Sequence, residues 1–382
     1  MIQLPFRPAA ALLSKKTLAQ NLKVVRTQIA RQSQLHKRNA DVMAIVKADA
    51  YGHDIDCIVP VLSKMGVKHF AVASLAEGIE ARLLNPKASI LVLGGTFNWT
   101  KPAIELLRKF KLKVAANDIP SLKSFLLFRD LPIHLKLDTG MNRLGLKPDD
   151  WAEAIRLIGG SKVALDGLFT HFATVSDAPF HRQAALFEEA TRWFWSRGLK
   201  ANFVHSENSS SLFGKNSVRK GLVSEISNLT RPGIALYGYL PYGIKNSFGL
   251  KPILELTSDI GIVKRVELGE AVSYGHYYKP KKAHDYAVVP LGYADGVSKV
   301  YGDELEPEWR SSRGARKGSL KVCGAICMDM VMLRAQRGKL QNGDRVIFWG
   351  RFPNALIKKH IVEPYELNLR IAKRIPRLWV DS

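Results

Sequence analysis

The stretch Asp41–Asp54, "DVMAIVKADAYGHD", decides how the first two thirds of the chain are read. Four apolar residues, Met43–Val46, stop abruptly at Lys47, and Tyr51, Gly52 and His53 follow shortly after. A short apolar run bounded by polar residues reads as a buried strand. A lysine ending such a strand is either a solvated cap or an amine placed for chemistry, and its surroundings must separate the two.

Outward from this stretch, apolar runs alternate with amphipathic segments from residue 15 to about residue 245. Lys15–Leu35 reads as a helix, with Leu18, Leu22, Val25 and Ile29 at three- and four-residue steps. Strands are expected at Met43–Val46, Phe70–Ala73, Ile90–Leu93, Leu112–Ala115, Ile133–Leu137, Leu165–Phe169 and Asn202–Val204. An eighth falls at either Leu229–Arg231 or Ile234–Leu236. Between them lie helical patterns such as "PDDWAEAIRLIGG", with Pro148 at its start, acidic residues in its first turn and Gly159 as a stop. A second such pattern runs from Pro179 to Gly198.

Strands alternating with helices predict a parallel sheet, and about eight repeats predict its closure into a barrel. No glycine-rich dinucleotide loop follows the first strand, which disfavours an open doubly wound sheet. From residue 246 the runs become short, β-branched and separated by Gly, Asp and Asn. The expected fold class is therefore α/β: an N-terminal (β/α)8 barrel over 1–245 and a C-terminal, mostly antiparallel β domain over 246–382. The first dozen or so residues are free to pack with the latter.

The 382-residue length suits two such domains, and 46% hydrophobic with 24% charged residues is an ordinary core-forming balance. No apolar run approaches the ~20 residues of a membrane helix, and the start lacks a basic segment followed by a long apolar one. The cytoplasm is the expected location. Cys57, Cys323 and Cys327 are too few and scattered for a disulfide framework or a zinc site. The net charge of +23 is unusual, yet the basic residues are dispersed. Local density occurs at His36–Arg38 and at Arg310–Lys321, the latter read as a solvated loop. No nucleic-acid-binding signature accompanies the charge.

Chemistry in a βα barrel collects at the carboxyl ends of the strands. There the sequence offers Lys47, Tyr51 and His53, then Lys136, Asp138 and Arg143, then His171, then His205, Asn208 and Ser209, and finally Arg231 with a following glycine. Singly, each has an ordinary structural explanation. Together they bring an amine, guanidiniums, an imidazole and several short donors to one mouth, a set suited to a phosphate-bearing cofactor and an anionic substrate. Burial and neighbouring cations would lower the pKa of Lys47 enough for it to attack a carbonyl.

"AIVKADAYGHD" closely resembles the pyridoxal-phosphate lysine motif of alanine racemases, usually VKANAYGHG. "LKLDTGMNRLG", "GLFTHFATVSD", "HSENSS", "TRPGIALYG", "VSYG", "GYADG", "CMDM" and "PYELNLRIAKRIPR" resemble that family's successive motifs in its order, over roughly residues 40–378. The resemblance implies a pyridoxal 5'-phosphate enzyme that interconverts L- and D-alanine through an external aldimine, serves cell-wall precursor supply, and works as a homodimer with shared sites. It implies Lys47 as the Schiff-base lysine and the base on the D-side, and Tyr274 of the partner subunit as the base on the L-side. Tyr51, Ser209, Gly233, Ile234 and Tyr365 would hold the phosphate, with Gly233 opening a short helix. Arg231 would face the pyridine nitrogen, His171 would orient Arg231, and Asn208 would line the cofactor. Arg143 and the backbone of Met328 would bind the substrate carboxylate, and Tyr293 and Tyr365 would narrow the entrance. Lys136 aligns with a lysine carbamylated in some family members. No metal is implied.

Departures from the family pattern are Asp49 and Asp54 in the lysine motif, Asn142 beside Arg143, and the segment before the first barrel strand. A broader amino-acid racemase acting on serine, lysine or arginine, or a related barrel decarboxylase, would share much of this pattern. The aromatic entrance disfavours the former's bulky substrates, and acidic partners for a distant substrate amine are not evident for the latter.

Overall fold

The computed structural model describes residues 7–36, 40–94, 99–161, 163, 165–175, 177–214, 226–241, 243–335, 339–350, 355–358 and 362–381. Lys37 and Arg38 of the first basic stretch lie outside them. The chain divides into two units. One takes in Ala19–Ala50 and Asp54–Leu250; the other takes in the described residues of Met1–Leu18, Tyr51–His53 and Lys251–Ser382.

The chain opens with strand β1 (Ala9–Leu13) and helix α1 (Lys15–His36). Eight parallel strands then build the first unit: β2 (Asp41–Ile45), β3 (His69–Val72), β4 (Ser89–Val92), β5 (Lys113–Ala116), β6 (Ile133–Lys136), β7 (Leu165–Phe169), β8 (Phe203–His205) and β9 (Leu229–Thr230). Each pairs with its neighbour in the order β8-β7-β6-β5-β4-β3-β2-β9. The two ends of that row join through Asn228 N–H to Val204 O and Arg231 N–H to Glu207 O, both 2.9 Å. The eighth strand is thus Leu229–Thr230, and Ile234–Leu236 belongs to turns beyond it.

Central strands of this kind are apolar because parallel strands are covered on both faces. Val42–Ile45, Phe70–Val72 and Ile90–Val92 are all buried. Helices α2 (Lys47–Gly52), α3 (Ile55–Lys64), α4 (Leu75–Leu84), α5 (Lys101–Lys109), α6 (Ile119–Leu126), α7 (Pro148–Gly159) and α8 (Asp177–Ser196) fill the connections. In α3 the buried residues Ile55, Ile58, Val59 and Leu62 recur at helical spacing, giving the helix one apolar face.

The second unit is a nine-stranded sheet. Its C-terminal strands are β10 (Leu254–Asp259), β11 (Ile262–Val266), β12 (His284–Val289), β13 (Glu308–Arg310), β14 (Lys317–Val322), β15 (Val331–Ala335), β16 (Arg345–Trp349) and β17 (Arg377–Trp379). The order is β11-β12-β15-β14-β13-β16-β10-β1-β17, antiparallel except for β1 beside β17. Fully buried Ala9–Ala11 belong to a strand of this sheet, so the first residues do pack with the C-terminal strands. Arg310–Lys321 is a β13–β14 hairpin rather than the expected loop, because Trp309 and Leu320 alternate inward between outward basic residues. Among the described residues no helix is long and apolar enough to cross a membrane.

Candidate active site

Lys47 begins α2 directly after β2, at the carboxyl end of the barrel strand. That helix is left-handed: φ is 52° at Ala48, 53° at Asp49, 51° at Ala50, 57° at Tyr51 and 77° at Gly52. An L-residue costs about 1–2 kcal/mol in this conformation, so four consecutive non-glycine residues need external support. Glu77 supplies part of it, its Oε1 accepting from Ala48 N–H at 2.7 Å. Its Oε2 accepts from the Ala73 and Ser74 amides at 2.8 and 3.1 Å, within the capping box of α4. Burial lowers the Lys47 pKa first, Arg143 lowers it further, and Glu77 opposes both. Asp49 and Asp54 act elsewhere. Asp49 Oδ1 accepts from Ile55 N–H at 2.8 Å, and Asp54 caps α3 through Asp56 N–H at 2.9 Å.

Lys136 ends β6 and is buried. Its pKa falls to about 8 through burial, Arg143 and Arg231, against the pull of Asp138. Asp138 Oδ1 accepts the amides of Gly140, Met141 and Asn142 at 3.1, 3.0 and 3.0 Å. It thereby shapes the loop that presents the exposed Arg143. Asn142 has φ 54°, and asparagine is one of the few residues other than glycine at ease in the left-handed region.

His171 is held at Asn208, Nε2 to Nδ2 at 3.4 Å, while Asn208 Oδ1 accepts from Ser211 N–H at 3.0 Å. The amide nitrogen must therefore donate to the imidazole. Burial and then Arg231, Arg143, Lys136 and Lys47 push His171 down to about 3, so it is neutral. Those mutual influences bring five of the expected groups into one electrostatic cluster.

Arg231 is buried, and its partners differ from expectation. Nη1 donates to His205 Nδ1 at 2.6 Å and to His205 O at 2.8 Å, and Nη2 donates to Thr170 O at 2.6 Å. His205, not His171, is the histidine hydrogen-bonded to Arg231. Burial lowers Arg231 to about 9 against the pull of Glu207, leaving it charged at neutral pH. Ser209 Oγ accepts from the Gly233 and Ala235 amides at 3.0 and 3.4 Å. From Gly233 the chain makes successive three-residue-step turns, Leu236 N–H to Gly233 O and Tyr237 N–H to Ile234 O, instead of the expected helix.

The second unit carries the remaining residues. Tyr51 meets Tyr365 edge-on, ring centroids 6.3 Å apart, and burial followed by Tyr365 raises it to about 12. Tyr293 N–H donates to Cys327 O and Ala294 N–H to Met328 O, each at 3.0 Å, tying two motif loops together. Buried Asp295 anchors this loop, accepting from Arg7 at 2.6 Å and Arg374 at 2.7 Å. Tyr274 is 74% exposed and opens a single 3-10 turn, Tyr274–His276, bracketed by φ 68° at Ser273 and 50° at His276.

The sequence reading missed Glu77, His134, Asp166 and Asp295. Glu77 was legible as the last residue of "SLAE", a capping-box signature. His134 and Asp166 were legible as polar residues interrupting strands that burial should keep apolar. Asp295 carried no signal beyond its place in "GYADG".

Fold and donor set define a class: a (β/α)8 barrel protein with a β-rich second unit and a barrel mouth furnished with a lysine of lowered pKa and several anion-binding groups. The profile described as "Alanine racemase, N-terminal domain" matches residues 14–241, and "Alanine racemase, C-terminal domain" matches 253–379. The chain belongs to the alanine racemase family of enzymes. It is 31% identical to an alanine racemase of Geobacter sp. (strain M21), over 98% of this chain and 99% of that one. The solved alanine racemase of Clostridium difficile 630 superposes with TM-score 0.84 at 28% identity, covering 99% of this chain and 97% of the other. An alanine racemase from Bartonella henselae with covalently bound pyridoxal phosphate shares the fold, with TM-score 0.80 at 22% identity over 98% and 99% of the two chains.

Proposed function

We propose that the protein interconverts L- and D-alanine with pyridoxal 5'-phosphate anchored on Lys47. The observation that carries this reading is the Lys47 amine at a strand end, its pKa lowered by burial and Arg143, as a nucleophilic lysine requires. The surrounding groups fit the cofactor. Ser209, Gly233 and Ile234 offer short donors to a phosphate, and the Ile234 amide bonds none of the described residues. When bound, the cofactor supplies an electron sink for the substrate α-carbon.

The chain's own residues supply the rest. Arg231 keeps its proton at neutral pH, so toward the cofactor's ring nitrogen it would act as a hydrogen-bond donor rather than a proton source, which would temper the sink. Racemisation removes a proton from one face and returns one to the other, which calls for two groups. Lys47 serves the D-side, and Tyr274 serves the L-side from a second copy of the chain, a role its exposure suits. Arg143 and the Met328 backbone take the substrate carboxylate, and Tyr293 and Tyr365 limit side-chain size. Lys136, if converted to a carbamate, would face Arg143 as an anion. His171 and Asn208, hydrogen-bonded to each other with His171 neutral, would flank the cofactor.

Incubating cofactor-loaded protein with L-alanine in heavy water should yield D-alanine bearing deuterium at the α-carbon. Absence of both exchange and inversion overturns the proposal. Parallel incubations with serine, lysine and arginine measure substrate breadth, and carbon dioxide release would reveal a decarboxylase.

A further inference from the structure

Behind Arg231 runs a row of polar groups, buried at His205 and His134 and partly exposed at Asp166 and Lys113, that the proposed chemistry does not use. Arg231 Nη1 donates to His205 Nδ1 at 2.6 Å. His205 Nε2 lies 2.8 Å from His134 Nδ1, and His134 Nε2 lies 3.0 Å from Asp166 Oδ2. Lys113 Nζ donates to that same oxygen at 2.6 Å, and Asn202 Nδ2 to Oδ1 at 3.2 Å. The row spans the barrel: Arg231 follows the carboxyl end of β9, whereas Asp166 and Lys113 stand at the amino ends of β7 and β5.

The direction of every bond follows from the two ends. A guanidinium only donates, so His205 Nδ1 accepts and its proton sits on Nε2. That proton points at His134 Nδ1, which must accept, leaving the His134 proton on Nε2 to be donated to a carboxylate. The rings have room for nothing else. Both imidazoles are fully buried, His205 stacks on Phe169 at 4.8 Å, and His134 stacks on Phe203 at 6.0 Å. A Cβ on Gly167 would stand 2.1 Å from His134 Nδ1, so only glycine leaves space for the ring.

We propose that Asp166 is a positioning residue that acts through His134 and His205 to orient and electrostatically support Arg231 from the opposite end of the barrel. Donation to a carboxylate makes His134 a better acceptor, which in turn makes His205 Nδ1 a better acceptor for Arg231. Burial lowers the pKa of both histidines, keeping them neutral and the row aligned. Asp166 is held well below the usual carboxylate range because the His134 and Lys113 bonds outweigh its burial, so its negative charge is permanent.

The hydrogen-bond row is independent of the racemase reading; its effect on catalysis rests on that reading. The test is nitrogen-15 and proton NMR of histidine- and arginine-labelled full-length protein, with and without pyridoxal phosphate. Wild type should show both imidazoles protonated on Nε2, with the His205 Nε2–H resonance far downfield and protected from exchange. Asp166→Ala should lose that resonance and shift the Arg231 Nη1 signal, while the bonds to the His205 and Thr170 carbonyls still hold the guanidinium; Lys113→Met should retain both signatures. An unchanged His205 resonance in folded Asp166→Ala overturns the proposal, as does equal loss in Lys113→Met. Should Asp166→Ala not fold, Asp166→Asn keeps the volume and removes the charge; the resonance then moves upfield, and an unmoved one overturns the proposal.

In the loaded enzyme, Asp166→Ala should lower kcat for alanine several-fold, up to about tenfold, with a smaller change in KM. Altered NMR with unchanged kcat would overturn the catalytic part. A wild-type protein that does not racemise alanine would sink the functional reading while the NMR result still decides the row.

Discussion

Glu77 Oε1 accepts the Ala48 amide proton at 2.7 Å, so a residue at the start of the next barrel helix steadies the peptide immediately after Lys47. The relationship matters because Ala48 opens the left-handed turn. Glu77→Ala removes an acceptor for three backbone amides and should cost about 1–3 kcal/mol in denaturant unfolding. Glu77→Gln keeps an acceptor but removes the charge that raises the Lys47 pKa. Lys47 in that variant should therefore react with an amine reagent at lower pH than in wild type, as read by peptide mass spectrometry. Labelling that begins at the same or higher pH would refute the assignment.

Gly52 closes the left-handed turn at φ 77°, and a Cβ there would lie 2.2 Å from Asn368 O and 2.5 Å from its carbonyl carbon. Backbone cannot yield as a flexible side chain can. Gly52→Ala should destabilise the protein by more than about 2 kcal/mol. A midpoint in urea equal to wild type would show that the turn relaxes.

Lys136 gives a pH signature. Below about pH 8 it is charged in the folded and unfolded chains alike, and burying the cation opposes folding. Between about 8 and the ordinary 10.5 the folded form has released its proton while the unfolded chain still holds it, so stability rises with pH. Lys136→Met removes this dependence. Its stability gain over wild type, on the order of 3 kcal/mol at pH 7, should shrink as pH approaches 10. A gain that stays constant over that range would mean that Lys136 does not titrate there as an amine.

Asn142 carries φ 54° next to Arg143. Asn142→Gly should stay within about 1 kcal/mol of wild type in stability, whereas Asn142→Val should lose more than that. Equal stabilities for the glycine and valine variants would contradict a left-handed Asn142.

On the proposed function, Lys47→Ala should abolish covalent cofactor attachment, seen as the missing pyridoxyl peptide after borohydride reduction. Tyr274→Phe should impair the L-to-D and D-to-L exchange steps unequally. Equal, slight effects in both directions would remove Tyr274 from its assigned role.

The sequence by itself determined the order of strands and helices in the barrel. Apolar runs such as Phe70–Val72 and Ile90–Val92 can be buried only in a sheet covered on both faces, and amphipathic helices such as α3 must cover it. It also determined which residues end the strands, and hence the cluster of Lys47, Lys136, Arg143, His171 and Arg231, because strand direction alone sends those positions to one mouth.

Only the tertiary structure decided the rest. That the first residues could pack with the C-terminal domain was legible, but their strand form and their register against β10 and β17 were not, because those partners lie far along the chain. The left-handed turn after Lys47 opposes local preference and persists through Glu77 and the fit of Gly52 against Asn368. Asp49 and Asp54, which in sequence look like charges crowding Lys47, are spent on the amides that open α3. Arg231 bonds to His205 instead of His171 because, in a closed barrel, hydrogen-bond direction and distance across the interior choose the partner, and neither is written in residue spacing.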